Sequence, residues 1–128
     1  MNGKLIGMKI KTFCRIRDIY KAIANYEEQF QQTNGLSLNE GMLLCSLSKR
    51  EELTSGQLAE ELSLTNSNTS KVIKSVEQKG LIRRTFGTED KRNMYFMLTE
   101  EGTQMLEKIK CSEVELPKVL KELEEGRS

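Results

Sequence analysis

Two helix-start signals stand only eleven residues apart in this chain, and that spacing restricts its fold more than any other feature. At Thr54-Ser55-Gly56-Gln57 the pattern T-x-x-Q predicts a capping box, in which Thr54 holds the third amide of the helix and Gln57 reaches back. Thr65 supplies a second cap. Between the two, Leu58, Ala59 and Leu62 form the buried face of a helix with room for about two turns. Ser63-Leu64 makes the turn, with Leu64 directed inward. Beyond Thr65, the residues Thr69, Val72, Ile73 and Val76 recur at spacings of three and four, the stripe of a helix packed on a core. The small side chain of Ala59 lets the second helix cross the first closely. Two short helices joined in this way form a helix-turn-helix.

Lys79-Gly80 closes the second helix, with Gly80 in the left-handed position past its last turn, and Leu81 and Ile82 continue into the core. Two short strands follow, from Arg83 to Thr88 and from Asn93 to Leu98. In the second, Met94, Phe96 and Leu98 alternate with Asn93, Tyr95 and Met97, a period of two. The tip between them, Gly87 to Arg92, is polar. A helix-turn-helix followed by a hairpin is a winged helix, an arrangement commonly used to read DNA.

The stripe leaves Asn66, Ser67, Asn68, Ser70, Lys71, Lys74, Ser75 and Gln78 outside. Short amides pair with base edges, Asn with adenine, and Ser is permissive. Lys71 and Lys74 reach phosphates, and the helix N-terminus itself favours them. The plain alternative is an ordinary solvated face. Such faces carry Glu beside Lys, whereas the first turns here hold no acid. At the wing, Lys91 and Arg92 make a basic tip suited to the narrow, negative minor groove. Asp90 pairs with a neighbouring Arg to fix the loop, a role compatible with either reading of Arg92. Arg84 is counted with the DNA contacts. Charge distribution agrees. Residues 65–99 carry seven Lys or Arg against three acids, and residues 1–32 balance at +3, while 33–64 and 100–128 each balance at −3.

The run from Leu58 to Gly102 resembles the winged helix of MarR-type transcriptional regulators. The likeness rests on Leu58-Ala59, on Thr65 to Val76, on Lys79-Gly80-Leu81-Ile82 with Arg84, on Asp90-x-Arg92, and on Leu98-Thr99-x-x-Gly102. It implies a homodimeric bacterial regulator on a pseudo-palindromic operator, with a recognition helix in each major groove and wings in the minor grooves. It also implies release by a small molecule or an oxidant in many members. Mapped onto this chain, Asn66, Ser67, Asn68, Ser70 and Lys71 are groove contacts and Arg92 is the wing-tip contact. Two departures stand out. Arg83 occupies a place where the family often has an acid. The 26 residues after Gly102 are fewer than is usual, which points to a reduced C-terminal part of the dimer interface.

The flanks read as helix. From Leu5 to Gln32 there is no Pro, and Ile16, Ile19, Tyr20, Ile23, Tyr26 and Phe30 make a stripe. A helix this long outruns the core of a small domain, so part of the stripe is expected to face a second copy. Asn34 or Gly35 ends it in a left-handed conformation. Ser37 and Glu40 predict a further capping box, ahead of a helix in which Leu43, Leu44 and Leu47, with Met42 and Cys45 nearby, are core. Arg50-Glu51-Glu52 reads as a solvated connector. Thr99 caps a helix with Glu100 and Glu101 in its first turn and Met105, Leu106 and Ile109 as its stripe. Pro117 interrupts, and Val119, Leu120 and Leu123 make a last short amphipathic helix.

The fold class expected is therefore mainly α with a small β-hairpin wing: one domain over 1–128, a winged helix-turn-helix core over 36–102, and dimerisation helices in 1–35 and 103–128. No His is present, which removes the usual general base and metal ligand. The three cysteines, Cys14, Cys45 and Cys111, form no CxxC pair, so neither a zinc site nor a disulfide framework is indicated and a reducing cytoplasm fits. No apolar run approaches a membrane span. No Gly-rich phosphate loop or catalytic carboxylate pair is present, so an enzyme is not expected, and no cofactor is indicated. Three readings remain. The first is a sequence-specific regulator, a repressor, acting as a homodimer on double-stranded DNA; a small-molecule effector would need a pocket between the first, second and fifth helices. The second is a winged helix used as a protein-interaction module. The third is a redox-sensing repressor in which Lys11, Arg15 and Arg17 favour the thiolate of Cys14.

Overall fold

Ser37, Thr54, Thr65 and Thr99 each turn a side-chain oxygen onto the amide three residues ahead, at 3.1, 3.1, 3.1 and 3.0 Å. These caps set the starts of α2 (Leu38–Lys49), α3 (Ser55–Leu62), α4 (Asn66–Gln78) and α5 (Glu100–Lys110). In α2 and α3 the reciprocal bond is made as well. Glu40 Oε1 accepts from the Ser37 amide at 2.8 Å and Gln57 Oε1 from the Thr54 amide at 2.9 Å. Both capping boxes expected from the sequence are present. The remaining elements are α1 (Gly3–Asn34), β1 (Ile82–Phe86), β2 (Met94–Leu98) and α6 (Lys118–Glu125). The chain is seen in a computed structural model that describes residues 3–87, 92–111, 114 and 116–125, without the side chains of 3–8, 123 and 125.

Contacts divide the chain into two compact units, Met1–Thr33 with Glu113–Ser128, and Asn34–Ser112. The second unit is the winged helix together with α5, so the fifth helix packs with α2 and the hairpin. Its core is Leu36, Leu43, Leu44, Leu47, Leu53, Leu58, Ala59, Ile73, Val76, Leu81, Ile82 and Phe96, all buried. Each fully buried Leu contributes roughly 1.5–3 kcal/mol, so three helices are held on the hairpin by aliphatic contact. Between α3 and α4 the chain turns through Ser63, which has a φ of +54°, and the amide of Leu64 returns to the Ala59 carbonyl at 3.0 Å. Leu64 and Leu62 are half-buried over this turn. After α4, Gly80 takes a φ of +75°, as its place past the helix end requires, and Gly35 takes +72° after α1.

β1 and β2 pair antiparallel, from Ile82 opposite Leu98 to Phe86 opposite Met94. Each strand starts one residue from its sequence boundary, β1 earlier at Ile82 and β2 later at Met94. Thr88, expected to close the first strand, lies outside the described residues. A third segment joins the sheet. Leu53 exchanges both backbone bonds with Phe96, at 3.1 and 2.8 Å. The connector expected to be solvated over 50–52 therefore ends in a buried bridge. Alternation explains the choice, because Phe96 faces the core and brings its edge to Leu53.

Two expectations within α2 and α4 are corrected. Met42 and Cys45, expected near the core, are exposed, because the buried side of α2 is the stripe Glu40, Gly41, Leu43, Leu44 and Leu47. Ser75, expected to face outward, is half-buried and bonded to α2.

In the first unit α1 runs for 32 residues. Ile10, Phe13, Ile16, Tyr20 and Ile23 lie exposed along it, Tyr20 at 75%, while Ile19 and Tyr26 are half-buried and Phe30 is buried. The Tyr26 and Phe30 rings stack with centroids 6.1 Å apart. α6 starts directly after Pro117, whose carbonyl accepts the amides of Leu120 and Lys121, both at 2.9 Å. Arg15 of α1 pairs with Glu122 of α6 at 3.2 Å. A cavity of about 310 Å³ is lined by Asn25, Tyr26, Gln29, Leu116, Pro117 and Lys118.

Candidate nucleic-acid interface

The buried side of α4 fixes which residues it shows to solvent. Thr69, Ile73 and Val76 are buried, and the Thr69 hydroxyl donates to the Thr65 carbonyl at 2.7 Å, so a polar side chain enters the core with its hydrogen bond made. The opposite side holds Asn66, Ser67, Asn68, Ser70, Lys71, Lys74 and Gln78, all exposed. No acid occurs in α4 before Glu77. The α4 N-terminus, its dipole uncompensated by any acid in the first turn, adds partial positive charge to that surface. The side chains expected to touch DNA from this helix thus share one continuous exposed face.

Two acids to which the sequence assigned no tertiary role set the attitude of α4. Glu40 is buried at the start of α2. One of its oxygens closes the capping box. The other accepts from Ser75 Oγ and from Lys79 Nζ, each at 2.8 Å, and Lys79 Nζ also reaches the Gly35 carbonyl at 3.3 Å. Burial pushes the Glu40 carboxyl up, but the bonds from Lys79, the Ser37 amide and Ser75 together outweigh it, and its pKa lies below the usual value. The second acid, Glu77, receives Arg84 bidentately, from Nε at 2.6 Å and from a terminal nitrogen at 3.1 Å. Its hydrogen bonds, and then its charge, raise the pKa of Arg84 further above its ordinary value. The Arg84 guanidinium also lies 5.5 Å from the centroid of the Phe96 ring and donates to Met94 Sδ at 3.2 Å.

On the wing, the Gly87 amide donates to the Asn93 carbonyl at 3.2 Å at the outer end of the hairpin. Arg83 and Arg92 are exposed. Asp90 and Lys91, expected at the tip, lie outside the described residues. At the other end Thr99 locks the base: its hydroxyl donates to the Gly80 carbonyl at 2.6 Å while accepting the Gly102 amide.

Cys14 is exposed on α1, and Cys45 and Cys111 are exposed as well. Among the described residues no group of three or more His, Cys, Asp or Glu is placed to hold a metal, and no helix is long and apolar enough to cross a membrane.

Comparison with known proteins meets this geometry. Residues 36–94 match the model of the MarR family. Over 93 residues the chain is 28% identical to the HTH-type transcriptional regulator PapX of Escherichia coli, covering 71% of this chain and 57% of that protein. Over 67 residues it is 36% identical to the organic hydroperoxide resistance transcriptional regulator of Bacillus subtilis, covering 52% of this chain and 46% of that one. The chain thus spans about half the length of the curated relatives it matches. Among solved structures, the transcriptional regulator BldR from Sulfolobus solfataricus superposes with a TM-score of 0.72 at 23% identity, over 99% of this chain and 85% of that chain, a likeness of fold. The matched segment runs from Leu36, just before the α2 cap, to the first residue of β2 and includes the whole exposed face of α4, so it is over the winged helix that this chain is similar to the MarR family.

Proposed function

We propose that the protein is a sequence-specific DNA-binding transcriptional regulator, a repressor, that works as a homodimer. The observation that carries this reading is the exposed face of α4, on which short amides, hydroxyls and two lysines stand without an acid. Asn66, Ser67, Asn68 and Ser70 address base edges in the major groove, and Lys71 and Lys74 address phosphates. Arg92, exposed on the wing, addresses the adjacent minor groove. Relatives named as transcriptional regulators support the reading.

The exposed apolar row on α1 supports the dimer. Ile10, Phe13, Ile16, Tyr20 and Ile23 repeat at the three- and four-residue spacing of a helix seam, and they are exposed in the single chain. A second copy covers them and sets two reading helices on one duplex.

Selection of bound sequences from random double-stranded DNA tests the proposal. The expected product is a pair of inverted half-sites about 10–10.5 bp apart, centre to centre, the signature of a two-fold dimer with one helix per major groove. Recovery of unselected sequence would sink the DNA-reading function and favour a winged helix that binds protein.

A further inference from the structure

Arg84 stands on β1, exposed among the cations of the reading surface, yet its guanidinium is already engaged by groups of the protein itself. Glu77 takes it in a two-point fork at 2.6 and 3.1 Å, and its guanidinium lies across Met94 and Phe96 of β2. A forked carboxylate partner fixes direction as well as distance. The groups Arg84 touches come from separate parts of the reading surface. Glu77 is the single acid of α4, one turn beyond Lys74. Met94 and Phe96 belong to the returning strand of the wing. Phe96 is itself buried and pinned by two backbone bonds to Leu53. Arg84 thus ties the recognition helix to the second wing strand.

The geometry points to Glu77 and Arg84 as positioning residues that fix the wing against the recognition helix, and so set the offset between major-groove and minor-groove contacts within one half-site. The inference rests on the DNA-reading function proposed above. It gives Arg84 a role distinct from phosphate contact, and the two roles predict opposite effects for Glu77. If Arg84 served phosphates, Glu77 would compete with DNA for it, and removing the acid would strengthen binding. If the fork positions the wing, removing the acid lets the hairpin swing, and binding weakens.

The test uses the whole chain and the operator selected by wild type. Affinity is measured against salt for wild type, Glu77→Ala, Glu77→Gln, Arg84→Ala and the charge-exchanged pair Glu77→Arg with Arg84→Glu, and each variant is put through its own selection. The expected result for Glu77→Ala is about 10-fold weaker binding, the scale of one base-pair preference. That weakening falls on the positions facing the wing, while the positions facing α4 keep their preference. Glu77→Gln, which keeps the size of the side chain, shows the same positional pattern, and the exchanged pair recovers the flanking preference. A residue that merely stabilised the fold would lower affinity at all positions alike. Tighter binding by Glu77→Ala overturns the inference. So does a fall of about 0.9 in the log–log salt slope for Arg84→Ala, which would mean that one phosphate is no longer neutralised. A wild type that selects no sequence overturns the DNA-reading function itself, and the inference with it, before any variant is compared.

Discussion

The carbonyl of Leu81 occupies the space that a side chain on Gly102 would need. A β-carbon built there meets that carbonyl oxygen well inside contact distance and the Leu98 side chain at 3.1 Å. The first turn of α5 lies on the backbone that leads into β1, and backbone cannot retreat as a flexible side chain can. Gly102→Ala is expected to destabilise the winged helix by about 3 kcal/mol, the upper part of the usual range for overpacking. A urea titration followed by circular dichroism measures it. An unchanged midpoint would mean that α5 shifts freely.

Ser63 holds a φ of +54° that a side chain disfavours. Left-handed backbone costs an ordinary residue about 1 kcal/mol or more. Ser63→Gly relieves that strain at the turn between α3 and α4, offset in part by the greater freedom of glycine in the unfolded chain. A stability gain of about 0.5 kcal/mol is expected, with DNA affinity unaltered, read as a rise in the thermal midpoint.

Glu40 gives the protein an acid limb. Its carboxyl is lowered from an ordinary value of 4.5 by partners that exist only in the folded state. The stability this adds is fully present above the unfolded value and is lost as pH falls through the lowered folded one. The stability difference between wild type and Glu40→Gln should therefore be constant at neutral pH and shrink below about pH 4.5. Parallel urea titrations from about pH 7 to about pH 3 read it. A difference that grows on acidification would reverse the sign and remove Glu40 from the account.

Lys71 and Asn68 are expected to fail in different ways. Lys71→Ala weakens binding to all sequences and lowers the salt slope by about 0.9. Asn68→Ala leaves the slope alone, costs about 1–3 kcal/mol on the selected operator, and relaxes the preference at one position. Titrations of selected and scrambled duplexes at several salt concentrations separate the two.

On α1, glutamate at both Ile16 and Tyr20 places charge on the exposed apolar row. Ile16→Glu with Tyr20→Glu is expected to sediment as a monomer and to bind a two-half-site operator roughly 100-fold more weakly, since the two reading heads are no longer linked. The urea transition of the winged helix stays in place.

What can be read from the chain alone is what local chemistry decides. Caps at Ser37, Thr54, Thr65 and Thr99 need only a hydroxyl and an amide three residues on, and all four form. Gly80 needs only its place after Lys79, and the stripe of α4 needs only spacing. The polar face from Asn66 to Lys74 follows from that stripe. Less legible are bonds between residues far apart in sequence. Glu40 reads as half of a capping box, and nothing near it announces that its second oxygen takes Ser75 and Lys79, 35 and 39 positions away. Leu53, just past the charged connector, carries no sign of strand pairing until Phe96 comes beside it. Arg84 reads as one more cation. The signal that hints otherwise is Glu77 seven residues earlier, the single acid of α4. Cys45 sits in a leucine-rich run, but its position in the helical turn directs it outward.

The hairpin is fastened where it leaves the body, by Thr99 to Gly80 and by Leu53 to Phe96, and it is closed again at Gly87 and Asn93. Chain added between those last two residues leaves the paired register intact, and doubling a loop costs only about 0.6 kcal/mol. The face of α4 has no such liberty, since every third or fourth residue of that helix is committed to the interior. Descendants of this chain can lengthen the wing by insertion, but must change the outer face of α4 one letter at a time.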